Sequence, residues 1–579
     1  MTDLERLGSR ILRLGDPALK PLRSRVAMAL GTGVLPPPHT GRRYHAVGED
    51  MILRSGFAVN PSATEVLAVL DGPTSHEAQR LPASLVLLSG SGAAEKAGQG
   101  PQKLAHALVR SVRQAQPVSV FKFSDFWRSH AFSCEAAGEQ VKAGRLGRAL
   151  DRLLRQVDER YAEDPLDAGI LQACEAEGIA LNEFLDRLLT WRTVWFSPYT
   201  GRPVLPEVAA EICKTMHAHW QENSVPGHCY GAQYWNHPSI RATFSGKGGD
   251  VSFHETQSET VAAARASGGR ILSWAGRTDP GFEAECASRN IPLLRIEDGF
   301  LRSVGLGAGL ARGAMLAVDD LGIYYDPSRP SRLEVLLQNH ELSEQEYRRG
   351  ETLIDLIRQA RVSKYNFGRS RAFEFPAGKT RILVPGQVAD DAAIRKSRSA
   401  TIDCANTPNV NVDLLRLARA RNPDAFLVFK PHPDVETGLR KGKVPPDQAL
   451  EYADLIARDA NIIDLIEAVD ALETFSSLSG FEALFRGKKV AVHGAPFYAG
   501  WGLCEDLTPI EGRTRHRSLP ELVYLALVQY ARTIDPVTLL PCTPEFLVSR
   551  LAAQRTDRKH LLITAAKRHA SWLGRKLGL

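Results

Sequence analysis

Short apolar runs alternate with longer helical stretches throughout the second half of this 579-residue chain. RILSWAG (270–276), IPLLRIED (291–298) and AMLAVDD (314–320) are typical of buried strands, and a second series of such runs begins at TRILVPG (380–386). Strands that are separated by helices favour parallel sheets with crossover helices. The sequence therefore predicts an α/β fold with two Rossmann-like halves, joined by the helical stretch 331–363, and with a cleft between them.

The length of the chain predicts more than one domain, since a single hydrophobic core stops growing at about 250–300 residues. No apolar run is long enough to cross a bilayer, and the charged N-terminus MTDLERLGSRILRLGD lacks the apolar core of a secretory signal. The eight cysteines are scattered without a CxxC pair. We therefore expect a cytoplasmic protein with reduced thiols and without a zinc site.

Net charge is concentrated at the C-terminus. The chain carries a formal charge of +6, and the segment from Arg555 to Leu579 alone contains seven Lys or Arg residues and one Asp, so the rest nets zero. In residues 553–579, one side of a helical wheel carries four apolar residues flanked by Trp572, namely Leu562, Ala566, Leu573 and Leu577. The other side carries Lys567, Arg568 and Arg575, whereas Arg558, Ile563 and Lys576 do not follow this division. Such a basic amphipathic tail is typical of contact with an anionic membrane surface. A solvated tail, or a helix that packs on the protein body, fits the same pattern.

Two adjacent acids, Glu297 and Asp298, end one of the strand-like runs and precede Gly299. Neighbouring side chains of a strand point to opposite faces, so one carboxylate can face a cleft while Arg295 or Arg302 holds the other. Gly299 allows a sharp turn and the close approach of a ligand. A carboxylate in a cleft can act as a general base or as a nucleophile. The alternative is a pair of surface acids before a turn.

A lysine and a histidine follow another apolar strand in FKPHPD (429–434). They are Lys430 and His432, and the flanking prolines keep the backbone extended. Imidazole beside ammonium suits an anionic group such as a phosphate. A turn that only ends the strand is the alternative.

Three serines, Ser476, Ser477 and Ser479, lie where a strand gives way to a helix in TFSSLSGFEALFRGKKV (474–490). Amides and hydroxyls at a helix start form an anion site, and Glu482 in the first turn can accept hydrogen bonds from ribose hydroxyls. Ordinary N-capping is the alternative, but it needs only one serine. Together with the acids of the first half, these groups suit a nucleotide-activated donor bound at strand ends.

Longer strings of the second half are more specific than these short motifs. They include RIEDGFLRSVGLG, AVDDLGIYYDPSRPSRLE, LVPGQVADDAAIR, FKPHPDVETGLRKG, GFEALFRGKKVAVHGAPFYAGWGL and DPVTLLPCTPE. Through them the chain resembles the capsular polysaccharide β-Kdo transferase family, the KpsC-type proteins of capsule synthesis and export. The resemblance extends from about Pro203 to about Leu551.

The resemblance implies a GT-B fold and a retaining glycosyltransferase. The implied enzyme moves Kdo from CMP-β-Kdo onto a lipid-linked Kdo primer and so builds the poly-β-Kdo linker of capsular polysaccharide. Retention implies an enzyme nucleophile, which the motif match places at Asp298, with Glu297 second. We expect the change Asp298→Ala to abolish transfer without unfolding the protein. No metal is implied, and no cofactor besides the donor substrate.

The same resemblance assigns the donor side and the partners. His432 contacts the CMP phosphate beside Lys430, the three serines surround it, Glu482 meets the ribose, and Gln387 and Asp391 line the cleft after TRILVPG. The implied partners are the lipid-linked acceptor, other capsule assembly enzymes and, through the basic tail, the inner-membrane surface. Nucleic acid is not an expected partner.

The N-terminal residues depart from the family pattern, which has two transferase modules. SPYTGRPVLPEV (197–208) echoes DPVTLLPCTPEF (535–546), but EDMILRS (49–55) lacks the glycine of EDGFLRS. The predicted domains are a reduced or accessory domain at 1–200, an acceptor-side half at 201–365, a donor-side half at 366–552, and the tail at 553–579. Two other functions remain open, a non-catalytic component of capsule export and a transferase that uses CMP-sialic acid.

Overall fold

The structure is a computed structural model. It describes residues 222–557 except for 305–312, 365–371, 405, 437 and 439, together with short segments before residue 222. The chain divides into two compact units, Met1–Ser224 and Val225–Leu579. EDMILRS (49–55) and all but the first residues of the predicted tail lie outside the described residues, so the predictions for them stay open.

Short strands form two small sheets in the first unit. They are β1 (Ala27–Leu30), β2 (Ala68–Leu70), β3 (Leu87–Ser89), β4 (Thr193–Phe196) and β5 (Pro203–Val204). Strand β4 lies antiparallel between β1 and β5, whereas β2 and β3 pair in parallel.

The second unit begins with an α/β half. Its strands are β6 (Gly227–Tyr230), β7 (Ser252–His254), β8 (Arg270–Trp274), β9 (Leu293–Asp298) and β10 (Met315–Asp319). Its first helices are α1 (His237–Phe244), α2 (Gln257–Ser267) and α3 (Pro280–Ser288). Strands β7, β6, β8 and β9 pair in parallel in that order, as predicted.

Strand β10 does not follow the predicted parallel pattern, because it lies antiparallel to β9. A parallel connection needs a crossover of a dozen or more residues, usually a helix. The described residues between β9 and β10 form no helix, and the Gly299 amide donates to the Met315 carbonyl at 2.9 Å, beside the antiparallel ladder.

Successive side chains of β8 and β9 point to opposite faces of the sheet, so the core of this half has two parts, one on each face. Leu272 and Ile296 pack with helix α1 on one face, whereas Ile271 and Leu293 pack with helices α2 and α3 on the other. Because successive side chains of a strand change face, Glu297 and Asp298 project from opposite faces of the sheet.

Two helices, not one, occupy the stretch 331–363. They are α4 (Arg332–Asn339) and α5 (Glu344–Ala360). The helical stretch predicted there is interrupted because Ser343 and Glu346 form a capping box, at which α5 begins. Helix α5 ends at Ala360, and its C-cap Arg361 adopts a left-handed conformation with φ of 50°.

The other α/β half is built on a parallel sheet. Its strands are β11 (Arg381–Pro385), β12 (Phe426–Lys430), β13 (Leu455–Ile456), β14 (Ala471–Thr474), β15 (Lys489–Val492) and β16 (Glu505–Asp506), in the spatial order β13-β12-β11-β14-β15-β16. Its helices are α6 (Ala392–Arg395), α7 (Val410–Arg421), α8 (Pro433–Glu436), α9 (Pro446–Leu450), α10 (Ile462–Ala468) and α11 (Leu478–Leu484). All five strand pairs are parallel, so the carboxyl ends of β11, β12 and β14 meet at one edge.

The end of the described chain returns to the first α/β half. Helix α12 (Leu519–Tyr524) continues into a π-helical segment (Leu525–Tyr530), and β17 (Ala531–Thr533) then pairs antiparallel with β10. Helix α13 (Pro544–Thr556) packs against α5, where Arg349 donates to Glu545 at 2.7 Å. The predicted boundary between residues 365 and 366 assigns β17 to the donor-side half, whereas in the structure β17 pairs with β10 of the first half.

The second unit therefore has the predicted α/β architecture of GT-B type, with two sheets joined by α4, α5 and the returning segment. Among its described residues, no helix is both long and apolar enough to span a bilayer. The five cysteines described are free thiols, three of them buried.

Candidate active site

Asp298 ends strand β9 and is held by a buried arginine. Its Oδ2 atom accepts a 2.7 Å hydrogen bond from Nε of Arg302, whose side chain is 2% exposed. Its Oδ1 atom is also buried and has no hydrogen-bond partner among the residues that the structure describes. Asp298 is thus the carboxylate that the scaffold holds, and Arg302 is the arginine that holds it.

This ion pair contradicts the expectation that Asp298 contributes little to stability. Removing one charge of a buried pair leaves the other charge in a medium of low polarity, which is strongly unfavourable. The main chain ties the same region together, because the amides of Arg302 and Ser303 both donate to the carbonyl of Lys364.

Glu297 lies on the other face of β9 and has different neighbours. Burial, as the larger cause, and the adjacent charge of Asp298 together raise the pKa of its carboxyl group to about 8. The positive charge of Lys364 opposes this increase, whereas Asp391, from the second α/β half, adds to it. Of the two acids, Glu297 is therefore the one whose pKa is affected by Asp391 of the second α/β half and by Lys364.

Gly299 serves packing against a neighbouring strand. Its φ is not positive, and a Cβ atom added there would lie 2.6 Å from Cγ of Met315. The chain bends at Phe300 and Leu301, directly after this glycine, but the bend does not require a positive φ there. The close approach that the glycine allows is that of Met315 in β10.

Lys430 and His432 lie at the carboxyl end of β12, as predicted. Lys430 is buried, which lowers the pKa of its ammonium group, although the acids Glu436 and Asp459 oppose that decrease. Burial lowers the pKa of His432 to about 4, with further contributions from the positive charges of Lys430, Lys364 and Arg440. At neutral pH the imidazole is therefore uncharged. Its Nδ1 atom accepts from the Asp434 amide at 3.2 Å, so the proton resides on Nε2.

The serine-rich segment after β14 is fixed by Gln387. The Gln387 side chain accepts from the Ser476 amide at 2.9 Å and donates to the Ser476 hydroxyl at 3.2 Å. Ser477 caps helix α11, and its hydroxyl accepts from the Ser479 amide at 3.2 Å. Ser477 thus performs ordinary capping, as in the alternative interpretation, whereas the position of Ser476 is fixed by Gln387.

Glu482 joins the two α/β halves. It is buried, and its Oε1 atom accepts a 2.8 Å hydrogen bond from the Lys364 amide. Burial raises the pKa of this carboxyl group. Contact with a ribose stays a prediction for Glu482, since one of its oxygens already has a protein partner.

Asp391 caps the short helix α6 and lies at the surface. Its Oδ1 atom accepts from the Ala392 amide at 2.9 Å, its side chain is 54% exposed, and Arg440 lies 3.9 Å away. Its charge nevertheless reaches Glu297, so it lies near the acid of the first half.

Lys364 is the central residue that the sequence motifs did not indicate. It follows the last turn of α5, and its charge acts both on Glu297 and on His432. No strand end, proline or serine run marks it, and only its place after the joining helix distinguishes it in the sequence. Tyr324 was missed as well; its hydroxyl donates to the Asp298 carbonyl at 3.0 Å.

Within the described part of the chain, no cluster of His, Cys, Asp and Glu has the composition to hold a metal ion. The site consists of an acid pair and Tyr324 from the first α/β half, the imidazole, ammonium and hydroxyl groups from the second, and Lys364 between them.

Residues 271–534 match the family model described as capsule polysaccharide biosynthesis protein. The chain is 39% identical over 335 residues to the capsule polysaccharide modification protein LipA of Neisseria meningitidis serogroup A, covering 58% of this chain and 46% of LipA. It is 43% identical over 247 residues to the lipopolysaccharide-processing protein LpsZ of Rhizobium meliloti, covering 42% of this chain and 54% of LpsZ. The chain thus spans about half the length of these relatives.

Two solved domains of KpsC from Thermosulfurimonas dismutans also match. The β-Kdo 2,7 transferase is 30% identical to this chain, and the TM-score is 0.46. The match covers 57% of this chain and 100% of the transferase chain. The β-Kdo 2,4 transferase is 31% identical to this chain, and the TM-score is 0.49. The match covers 57% of this chain and 98% of the transferase chain.

Proposed function

Because this chain belongs to the capsule polysaccharide biosynthesis protein family, we propose that it is a retaining glycosyltransferase that moves Kdo from CMP-β-Kdo onto a lipid-linked Kdo primer. One observation carries the proposal. The charge of Lys364 contributes to the pKa shifts of both Glu297 in the first α/β half and His432 in the second, which supports a shared site for an acid and an imidazole. The choice of Kdo rests on the resemblance of the longer sequence strings.

Glu297 is the better candidate for the nucleophile. The motif match favoured Asp298, but Arg302 occupies one oxygen of that carboxylate and the other oxygen is buried. Glu297 instead lies on the face that shares its surroundings with Lys364 and Asp391. Asp298 then acts as a positioning residue, which fixes the strand end through Arg302.

The reaction proceeds by two displacements at the anomeric carbon. In the first, a carboxylate oxygen of Glu297 bonds to that carbon, the bond to the phosphate oxygen breaks, and CMP leaves. In the second, an acceptor hydroxyl oxygen bonds to the carbon, the ester bond to Glu297 breaks, and the hydroxyl proton passes to the released carboxylate. Two inversions give net retention, and the nucleophile must be ionised to begin.

Groups of the second α/β half hold the leaving phosphate. Neutral His432 presents an Nε2 proton, Lys430 supplies a buried positive charge, and Gln387 fixes the hydroxyl of Ser476 beside them. Hydrogen-bond donors that are fixed in advance and shielded from water stabilise developing negative charge efficiently. Neither a metal nor another cofactor takes part in this proposal.

The product is the poly-β-Kdo linker of a capsular polysaccharide. The partners are the lipid-linked acceptor, other enzymes of capsule assembly and, through the basic tail, the cytoplasmic face of the inner membrane. Residues 1–200 act in this proposal as a reduced or accessory domain without catalysis of their own.

Transfer by the purified full chain tests this function. The protein is incubated with CMP-Kdo or with CMP-sialic acid and a synthetic Kdo-primed lipid, and products are identified by mass spectrometry and by the anomeric configuration in NMR spectra. We expect a β-linked Kdo product with CMP-Kdo as the donor and no product with CMP-sialic acid. The Glu297→Gln variant should lose this product, whereas Glu344→Gln, a change at an exposed position of α5, should retain it.

Other outcomes separate the alternatives. Transfer from CMP-sialic acid in place of CMP-Kdo would identify a sialyltransferase. A folded protein that transfers neither sugar would contradict an enzymatic role and favour an assembly component of capsule export.

A further inference from the structure

We propose that the second unit has a separate binding site for a phosphate group, in a cavity lined by the end of α5 and by residues between α10 and β15. The cavity measures about 560 Å³, and its lining residues are Asp355, Arg358, Gln359, Glu467, Arg486 and Lys488. None of them belongs to the candidate active site. The proposal does not rest on the transfer reaction.

Arg486 supplies the main evidence, because it is a buried cation with unused hydrogen-bond donors. Its side chain is 4% exposed, and Nη1 donates to the Glu482 carbonyl at 2.8 Å. Its Nε and Nη2 atoms have no hydrogen-bond partner among the described residues. Glu467 Oε1 lies 3.8 Å from Nε, beyond hydrogen-bond range. Buried donors that lack hydrogen-bond partners are unfavourable, so a ligand with acceptor oxygens is expected there.

The acids of the cavity are already engaged by other arginines. Glu467 forms an ion pair with Arg361, and Asp355 lies 3.6 Å from Arg358. Glu467 also lies 3.8 Å from Nε of Arg486, so it offsets part of that charge without a hydrogen bond, and the Nε and Nη2 donors of Arg486 remain available to an anion.

Lys488 and Arg358 add positive charge from two further directions. Nζ of Lys488 donates to the carbonyls of Glu467 and Val469 at 3.0 and 2.7 Å, which uses two of its three N–H groups. Arg358 lies on α5, and its side chain is 54% exposed. Three cations thus line the cavity, Arg358 from helix α5 and the other two from the segment between α11 and β15.

A phosphate group fits this arrangement better than a carboxylate. A terminal phosphate offers three oxygens in a tetrahedral arrangement, one for each cation, whereas a carboxylate offers two in a plane. The volume lies within the range of small-molecule sites and exceeds what a phosphate ion alone requires. The ligand is therefore a phosphorylated small molecule or the headgroup of a phospholipid.

Binding of phosphates to the full chain tests the proposal. The probes are inorganic phosphate, glycerol 3-phosphate, and vesicles of phosphatidylglycerol or phosphatidylcholine. Binding is followed by calorimetry and by the melting temperature, with His432→Ala as the background because any response of the donor site disappears in that variant. We expect a phosphate-dependent rise in melting temperature that persists in His432→Ala.

Variants of the cavity residues test whether the phosphate binds at Arg486. Arg486→Met should raise the apparent Kd at least about tenfold, since charge-assisted hydrogen bonds are lost, and Arg358→Met, at a partly exposed position, should raise it by a smaller factor. Lys489→Met removes the same charge from the exposed neighbour of Lys488 and should leave the Kd unchanged.

The probes then distinguish the two ligand sources. Arg486-dependent binding of glycerol 3-phosphate indicates a soluble phosphorylated ligand, and Arg486-dependent binding of phosphatidylglycerol vesicles alone indicates a lipid headgroup. If no probe binds in an Arg486-dependent manner, or if Lys489→Met weakens binding as much as Arg486→Met, the proposal is overturned.

Discussion

Removal of the Asp298 carboxylate is expected to destabilise the protein through Arg302. The carboxylate contacts a guanidinium that is 2% exposed, at 2.7 Å, and the Asp298 side chain itself is only 22% exposed. Breaking such a pair by deleting one partner reduces the free energy of unfolding by about 3 kcal/mol. For a unit of this size, roughly 2 °C for each kcal/mol gives a fall in melting temperature of about 6 °C.

An exposed ion pair provides the matched control. Asp320 and Arg332 contact each other at 2.5 Å, but their side chains are 43% and 40% exposed. Exposed pairs contribute less than about 1 kcal/mol, so Asp320→Ala should lower the melting temperature by less than about 2 °C. Differential scanning calorimetry on both variants under identical conditions measures the contrast.

A double variant distinguishes lost charge pairing from lost packing. Since Arg302 is the buried charge that Asp298 offsets, Asp298→Ala combined with Arg302→Met should melt at a higher temperature than Asp298→Ala alone. If Asp298→Ala and Asp320→Ala melt within about 2 °C of each other, the buried pair does not stabilise the strand end and the reasoning fails.

Further predictions concern the site and its surroundings. Because the pKa of Glu297 is raised to about 8 and only its ionised form attacks, the transfer rate should rise with pH from 6 through 8 and level off about one pH unit above that pKa. A rate that falls between pH 6 and 8 contradicts the assignment. Lys364→Met removes a positive charge that opposes the increase at Glu297, so the pH profile should move to higher pH, an effect that a merely structural role of Lys364 would not produce. Gly299→Ala should reduce the free energy of unfolding by about 1–3 kcal/mol through overlap with Met315. Met315→Ala removes a fully buried side chain and is itself destabilising, but the loss in the double variant should be smaller than the sum of the two single losses. An unchanged melting temperature in Gly299→Ala would show that the strand pair can yield.

Local sequence patterns predicted the second α/β half well. Strands β11, β12 and β14 end where the apolar runs end, so the edge that carries Gln387, His432 and Ser476 follows from alternation and strand polarity. The division of labour between Glu297 and Asp298 also follows from strand alternation, which requires that adjacent side chains face opposite ways.

Features that depend on distant partners were not accessible from local patterns. The antiparallel pairing of β10 is stabilised by β17, which is more than two hundred positions later in the chain, and no local pattern encodes it. The break between α4 and α5 rests on the capping box of Ser343 and Glu346, which lies inside an otherwise helical composition.

The roles of Lys364 and Arg302 depend on tertiary contacts in the same way. Lys364 becomes central because its amide meets Glu482 and its carbonyl meets Arg302, two contacts between segments that are far apart in sequence. The motif match placed the nucleophile at Asp298, because sequence similarity identifies the acid pair but does not say which acid is occupied by a buried arginine.

Location of the covalent sugar adduct tests the central claim most directly. The protein is incubated with CMP-Kdo in the absence of acceptor, quenched in acid, digested and mapped by tandem mass spectrometry. The two-displacement account predicts Kdo esterified to Glu297 and no adduct in Glu297→Gln. An adduct on Asp298, or on any other residue of the chain, would contradict it.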